Sequence, residues 1–208
     1  MKIGIIGAGV VGRTVGKLAV KAGHPVMVSN SRGPRSLFSL RVEIGSEIGT
    51  ADEAAAFGDI ALLAIPLFAL AEAPVGALAG KVVLDANNYY WERDGRIAEL
   101  DRKETTTSEL VAQRLPNSRI VKAFNAVRMT DLETDGRPVG SLERRALPIA
   151  GDDPEGKAIA AELVEAFGFD VVDAGPLSEG WRFERDTPAY CARLRKAELV
   201  AALASATR

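Results

Sequence analysis

A glycine-rich segment near the N-terminus has the residue types and the spacing of a phosphate-binding loop. Gly7, Gly9 and Gly12 form a G-x-G-x-x-G pattern, with Val10 and Val11 between the last two glycines. Glycines at this spacing allow a tight turn, a close approach of backbone to a diphosphate, and close packing of a helix on a strand. Free N–H groups at the start of that helix can then bind phosphate oxygens, aided by the helix dipole. The segment therefore predicts a dinucleotide-binding loop made by these five residues.

The sequence on both sides of the loop strengthens this prediction. An apolar, strand-like run covers residues 2–6, and residues 10–22 carry apolar side chains at the three- and four-residue spacing of an amphipathic helix. A second strand is predicted over residues 25–29. The motif requires this strand, loop, helix and strand context, because glycine alone is common. A strand–turn–helix without a ligand is the alternative that the context disfavours.

The end of the second predicted strand indicates which dinucleotide is bound. Residues 28–35 contain no Asp or Glu, the residues that hold the ribose 2′-hydroxyl in NAD sites. Ser31 and Arg32 can instead bind a 2′-phosphate through charge-assisted hydrogen bonds, and Arg35 can close over that phosphate or stack on adenine. The sequence therefore predicts NADP(H), with Asn30, Ser31, Arg32 and Arg35 as contacts. A solvated basic loop is the alternative.

Polar and apolar turns follow three further predicted strands. In an open α/β sheet, ligands lie outside the carboxyl ends of the strands. The amides of Asn87 and Asn125 come just after the fifth and sixth strands, so they are candidates for contacts near the nicotinamide. For each, an amide that merely ties loops together is an equally good explanation. The predicted contacts in this region are Ala64, Ile65, Pro66, Asn87, Ala123, Phe124 and Asn125.

The same edge of the predicted sheet offers no obvious acid–base residue. The single histidine, His24, falls in the turn between the first helix and the second strand, at the opposite edge. Lys122 is the one lysine near the predicted site, and nothing in the sequence supplies it with a lowered pKa. Reduction of a carbonyl or imine normally needs a proton donor, whereas exchange between nicotinamide and a flavin-like ring needs mainly face-to-face positioning. We therefore predict no catalytic side chain.

Aromatic residues cluster at two places outside the predicted nucleotide loop. One cluster follows the fifth strand and the other lies near the C-terminus. They can line a pocket for a planar ring, or form the seam between the cover and the core of the protein. The residues are Tyr89, Tyr90, Trp91, Trp181, Phe183 and Tyr190.

The alternation of short β-rich runs with helical stretches predicts an α/β fold with a Rossmann-type, doubly wound, mostly parallel sheet. After residue 135 the regular alternation of strands and helices changes, so we expect residues 1–135 to form the NADP-binding domain. Residues 136–208 are expected to form a small C-terminal α/β extension that covers the active site within one compact unit. A terminal helix is predicted over residues 187–204, with Thr187 as its N-cap. The other predicted helices cover residues 34–44, 51–57, 67–78, 107–115 and 154–167; the other predicted strands cover 47–49, 60–65, 82–85, 119–123, 146–150 and 169–172.

Composition limits the classes of partner. The chain has 208 residues, 47% of them hydrophobic, and a net charge of -2, so there is no electrostatic case for nucleic acid or an anionic membrane. No apolar run approaches the roughly 18–20 residues that span a bilayer, and no signal-peptide pattern opens the sequence. The single cysteine, Cys191, excludes an internal disulfide and a thiolate-cluster metal site. We expect a cytoplasmic protein without a bound metal.

Four segments together carry a family resemblance: residues 1–9, 30–32, 151–153 and 173–177. They resemble the NADPH-dependent coenzyme F420 reductases. The Lys-Ala-Phe-Asn run at residues 122–125 is similar to one in the cytosolic NADPH domain of the six-transmembrane metalloreductases. The resemblance implies a homodimer that transfers hydride between NADPH and a deazaflavin (F420) or a flavin (FMN or FAD) without a catalytic acid. It also implies that Ser31 and Arg32 bind the 2′-phosphate.

Two other functions fit the same N-terminal half. An NADPH-dependent imine or pyrroline reductase would share the nucleotide loop, although such enzymes usually need a longer helical C-terminal region. An NADP(H)-binding sensor without turnover would equally lack acid–base residues. The sequence does not separate the sensor from the reductase that acts on flavin-type rings.

Overall fold

Eight strands form one continuous sheet in the computed structural model, which describes residues 1–208. They are β1 (Ile3–Ile6), β2 (Val26–Ser29), β3 (Glu47–Gly49), β4 (Ile60–Leu63), β5 (Val82–Asp85), β6 (Arg119–Lys122), β7 (Ala146–Gly151) and β8 (Asp170–Asp173). Their order in space is β3-β2-β1-β4-β5-β6-β7-β8. Every neighbouring pair is parallel except β6 and β7. The predicted Rossmann-type, mostly parallel sheet is confirmed.

Helices cover both faces of this sheet. They are α1 (Val10–Lys21), α2 (Phe38–Ile44), α3 (Ala51–Phe57), α4 (Val75–Leu78), α5 (Trp91–Asp94), α6 (Ala98–Asp101), α7 (Thr107–Arg114), α8 (Met129–Thr134), α9 (Pro154–Ala166) and α10 (Lys196–Ser205). Three 3-10 segments, Pro34–Leu37, Leu67–Glu72 and Leu177–Phe183, complete the connections. None of the helices combines the length and the apolar character needed to cross a membrane.

The two faces have separate hydrophobic cores, because successive strand residues point to opposite sides. On β4, Leu62 packs in the core under α1, α2, α8 and α9, whereas its neighbour Leu63 packs in the core under α3, α4 and α7. Both leucines are fully buried. This alternation makes the sheet doubly wound and places the carboxyl ends of β1, β2, β4, β5 and β6 at one edge.

The C-terminal part of the chain extends the same sheet. β7 pairs with β6, and a third core beneath α10 includes Phe183, Leu199 and Leu203. Arg145, which directly precedes β7, is almost completely buried, and its guanidinium lies 3.1 Å from Asp131 and 3.2 Å from Asp135. This buried cation ties the extension to α8 and the turn after it.

The predicted terminal helix over residues 187–204 is wrong in its first half. α10 begins only at Lys196. The Thr187 hydroxyl donates back to the Glu184 carbonyl (2.8 Å), so this threonine closes a turn and caps no helix. Asp186 and Cys191 have φ values of 68° and 55°, and a right-handed helix does not contain such residues. Helices α5, α6 and α8 were not predicted, whereas β3, α3 and β5 have the predicted bounds.

Candidate functional site

The loop between β1 and α1 depends on two of its glycines for backbone reasons. Gly7 has a φ of +112°, and a Cβ there would lie 2.2 Å from the Ala64 carbonyl oxygen. A Cβ on Gly12 would lie 1.9 Å from the Gly7 carbonyl oxygen. Both distances are far inside van der Waals contact, so any other residue would push α1 away from β1 and β4. The structure therefore gives these two positions the packing role that the motif assigns to glycine.

Gly9 is different, because nothing lies within 4 Å of the position its Cβ would take. It is exposed and forms the N-cap of α1, with no side chain capping the helix and no acidic residue in the first turn. The first N–H groups of a helix have no partner within the helix. An uncapped helix start beside open space is a fitting site for a diphosphate.

A basic corner lies beside this loop, after β2. The Asn30 side chain accepts from the Arg32 backbone N–H (3.1 Å), and its amide donates to the Ser36 hydroxyl (2.9 Å). Asn30 thus shapes the turn that presents the next two residues. Ser31, Arg32 and Arg35 are exposed, and neither arginine forms an ion pair. These donors fit an extra phosphate on the ribose.

Buried amides without partners lie at the carboxyl ends of β5 and β6. Neither Asn87 amide atom has a hydrogen-bond partner, although the residue is only 3% exposed. Asn125 is 4% exposed; its amide donates to the Asn88 side-chain oxygen (3.2 Å) and the Phe183 carbonyl (3.0 Å), but its own oxygen is unpartnered. Unpaired buried polar groups are costly. Together with the uncapped helix and the basic corner, these groups fit the polar atoms of a bound dinucleotide.

A buried cation lies next to the Asn87 backbone. Lys122, the last residue of β6, is fully buried, and its ammonium donates to the Thr107 hydroxyl (2.7 Å) and the Asn87 carbonyl (3.2 Å). The ammonium also lies 3.0 Å from the Glu184 carboxylate and 3.9 Å from Asp85. Lys122 therefore connects β5, β6, the start of α7 and the C-terminal segment.

The pKa values of the two carboxylates in this cluster are shifted in opposite directions. Burial disfavours the charged form of Glu184, but Lys122 and the Thr107 hydroxyl outweigh it and lower the pKa of Glu184. For Asp85, complete burial dominates over Lys122 and Ser108, so the pKa of that carboxyl is raised. The stable pairing in the cluster is thus between Lys122 and Glu184.

Comparison with known proteins finds a family match in the N-terminal half of the chain. Residues 2–89 match the model of a family described as NADP oxidoreductase, coenzyme F420-dependent. Over these residues the chain is similar to that family. The matched residues include the loop between β1 and α1 and the basic corner after β2.

Similar proteins extend beyond the matched residues. The metalloreductase STEAP3 of Rattus norvegicus is 27% identical over 191 residues, which are 88% of this chain and 36% of that protein. The chain spans only 36–39% of the length of the two curated relatives it matches.

Solved structures share the fold of this chain. Hypothetical protein SMa0349 of Sinorhizobium meliloti superposes with a TM-score of 0.80 at 28% identity, over 94% of this chain and 95% of that one. A chain of Arthrobacter sp. FB24, assigned as an F420-dependent NADP reductase, has a TM-score of 0.70 at 24% identity, over 85% of both chains.

The structure brings the predicted site residues to one edge of the sheet. Ala64, Ile65 and Pro66 follow β4 and are half-buried. Ala123 and Phe124 follow β6, but the Phe124 ring packs on Phe167 in the core, with 5.7 Å between ring centroids. The backbone of Phe124 has a φ of +63°. His24 lies at the other edge, 3.4 Å from the N-terminal amine.

Two features of the site were missed from the sequence. One is the set of partners around Lys122, since Thr107 and Glu184 are distant in the chain. The other is a hydrogen bond between the hydroxyls of Tyr90 and Tyr190, which joins the loop after β5 to the C-terminal segment. Burial, followed by this bond, raises the pKa of Tyr190. The clustering of aromatics was the one sequence signal for this contact.

Proposed function

We propose that the protein transfers hydride between NADP(H) and a deazaflavin (F420) or flavin-type ring, without a side-chain general acid. The observation that carries the proposal is the uncapped start of α1 beside the unpaired Ser31 and Arg32. When bound there, NADPH supplies two electrons and one hydrogen as hydride. These electrons and this hydrogen are added to the acceptor ring, and any further proton comes from solvent.

Each predicted contact has a role in this proposal. The backbone of Gly7, Gly9, Val10, Val11 and Gly12 holds the diphosphate at the start of α1. Ser31, Arg32 and Arg35 hold the 2′-phosphate, in the turn that Asn30 shapes. The proposed contacts at the nicotinamide end are the unpartnered amides of Asn87 and Asn125 and the turns at Ala64, Ile65, Pro66, Ala123 and Phe124.

The absence of a general acid is proposed from the way the titratable groups are held. The Lys122 ammonium is surrounded by the Glu184 carboxylate, two hydroxyls and a backbone carbonyl, so its protons are engaged within the protein. The raised pKa of Tyr190 keeps that phenol protonated, and its hydroxyl is occupied by Tyr90. Ring-to-ring transfer needs positioning and not a side-chain proton donor, because the cofactors carry the chemistry.

We propose that the two parts of the chain have the roles that the sequence suggests. Residues 1–135 hold the cofactor, and residues 136–208 cover the active site, since Glu184 and Phe183 contact the amides and the cation at its edge. The homodimer and the cytoplasmic location remain proposals as well. Light scattering of the purified protein tests the first, and fractionation of the source cells tests the second.

Stopped-flow absorbance tests the reaction. NADPH is mixed anaerobically with the protein and F420, FMN, FAD or 1-pyrroline, and the loss of the reduced-nicotinamide band is followed. We expect turnover with at least one ring acceptor and none with the imine. Turnover with the imine alone would point to an imine reductase, and turnover with no acceptor would point to a sensor; either result contradicts the proposal.

An isotope experiment tests the transferred species. NADPH carrying deuterium at the reactive carbon of the nicotinamide is compared with unlabelled NADPH. A primary isotope effect on the transfer step, and no effect of solvent deuteration, are expected because the hydrogen leaves as hydride and no side chain donates a proton. A large solvent effect with a bell-shaped pH profile would instead reveal a general acid.

A further inference from the structure

Arg13 is an exposed cation near the start of α1, one residue after the last glycine of the loop. Its Nε donates to the Ala8 carbonyl oxygen (2.9 Å), so the side chain folds back along the helix towards the loop. Helical side chains naturally lean in this direction, towards the N-terminus of their helix. The guanidinium is therefore held beside the first turn of α1.

Most of the donors of this guanidinium are free. The bond to Ala8 uses only the Nε–H, and the N–H groups on Nη1 and Nη2 have no hydrogen-bond partner in the protein. Arg13 also forms no ion pair, whereas Lys17, one turn further along α1, is paired with Glu133. A guanidinium that is anchored through Nε presents its terminal nitrogens as a planar fork, which matches the oxygens of a phosphate.

The backbone before Arg13 offers further free donors. The N–H groups of residues 8–12 donate to no acceptor in the protein, whereas the Arg13 N–H donates to the Gly9 carbonyl oxygen (3.0 Å). Consecutive free N–H groups at the start of a helix attract anions. The Arg13 side chain adds a full positive charge to the partial charges of this backbone.

The charge of the surrounding sequence has one sign. The first 42 residues contain seven Lys or Arg residues and no Asp or Glu, although the whole chain has a net charge of -2. Two of the seven, Lys17 and Arg41, are paired with carboxylates from later in the chain. Arg13 is the one arginine of α1, and it has no such partner. Its attraction for an anion is therefore not offset by a neighbouring carboxylate.

We propose that Arg13 binds the diphosphate of the dinucleotide and supplies affinity that NADPH and NADH share. This role rests on the proposed function, because it adds a residue to the same cofactor site. Ser31 and Arg32 contact the 2′-phosphate in that site, so they favour NADPH over NADH. Arg13 contacts the diphosphate, which both cofactors carry. Arg13 therefore sets the strength of binding, and Arg32 sets the choice of cofactor.

Calorimetric titrations of Arg13→Gln with three ligands test this role. NADPH and NADH are each expected to bind roughly tenfold more weakly than to the unmodified protein, because a charge-assisted hydrogen bond is lost. Adenosine 2′-monophosphate carries the 2′-phosphate without the diphosphate, and its affinity is expected to be unchanged. Arg32→Ala should give the complementary pattern, with weaker NADPH and adenosine 2′-monophosphate and unchanged NADH.

Two variants control for charge and geometry. Lys21→Gln removes an exposed positive charge at the other end of α1, and all three affinities should stay unchanged. Arg13→Lys keeps the charge without the planar fork, so it should recover part of the affinity lost in Arg13→Gln. Unchanged binding of NADPH and NADH to Arg13→Gln would overturn this role. An equal loss for all three ligands, or the same loss in Lys21→Gln, would overturn it as well.

This role and the proposed reaction fail separately. Weaker binding of both cofactors to Arg13→Gln, without oxidation of NADPH by any acceptor, would keep the role of Arg13 and remove the reaction. Turnover with a ring acceptor, with the same affinity for NADPH in the unmodified protein and in Arg13→Gln, would keep the reaction and remove the role of Arg13.

Discussion

The ammonium of Lys122 lies 3.0 Å from the carboxylate of Glu184, although the lysine is at the end of a central strand and the glutamate is 62 residues further along the chain. The lysine side chain is completely inaccessible to solvent, and the glutamate side chain is 19% exposed. This pair joins the C-terminal segment to the sheet edge where the nicotinamide is expected.

Removing the lysine should destabilise the protein strongly. Lys122→Met keeps the length of the side chain but leaves Glu184 without its cation, and breaking a buried pair in this way costs about 3–5 kcal/mol. Urea unfolding measures the change. Lys17→Met is the control, because Lys17 pairs with Glu133 at the exposed surface and its loss should barely change stability. Equal effects for the two variants would contradict the role of the buried pair.

Acid should remove the contribution of Glu184 to the free energy of unfolding. Lys122 and Thr107 lower the pKa of folded Glu184 below its ordinary 4.5, so ionised Glu184 stabilises the fold above that value. This stabilisation is lost as the pH falls through the lower folded pKa. The free energy of unfolding of the native protein and of Glu184→Gln should therefore differ by a constant amount at neutral pH and converge in acid. A difference that grows on acidification would contradict the sign of this shift.

The position of the open glycine allows binding to be separated from folding. Gly9→Val adds a side chain into open space, so thermal stability should change little, whereas the diphosphate loses its room beside α1. We expect NADPH affinity to fall at least roughly tenfold, as measured by the fluorescence of the reduced nicotinamide. Gly76→Ala on α4, also in open space, is the control and should bind normally. Full affinity in Gly9→Val would mean that the loop does not hold the cofactor.

Because the amide of Asn87 is unpartnered, replacing it should not destabilise the ligand-free protein. Because both amide atoms lack partners, Asn87→Leu should leave the ligand-free protein as stable as before or make it more stable. Its affinity for NADPH and its turnover should nevertheless fall. Melting curves with and without NADPH test both parts at once. A strong loss of stability without the ligand would show that Asn87 is a structural amide.

Most of the strand and helix positions could be predicted because they rest on local signals. The apolar runs of β1 and β5 lie between turns, and Thr50 with Glu53 forms a capping box that fixes the start of α3. The terminal helix was misplaced because Thr187 and Pro188 are equally good signals for a helix start and for a turn. Contacts with Glu184 and the core selected the turn.

The nucleotide loop and the basic corner were also predictable, because each is contiguous in the sequence. The Lys122 cluster was not, since its members lie on β5, β6, α7 and the C-terminal segment and meet only in the folded sheet. The hydrogen bond between Tyr90 and Tyr190 could not be predicted for the same reason. Aromatic clustering indicated that a pocket for a planar ring was an option and gave no pairing between the clusters.

Calorimetric titration with NADPH and NADH tests the central claim most directly, because the two cofactors differ only in the 2′-phosphate. We expect heat of binding with one site per chain and an affinity for NADPH at least roughly tenfold higher than for NADH, from the charge-assisted contacts of Ser31 and Arg32. Arg32→Ala should remove that preference, while Arg41→Ala, whose arginine pairs with Glu47, should retain it. No heat with either cofactor, or equal affinities in the unmodified protein, would contradict the account.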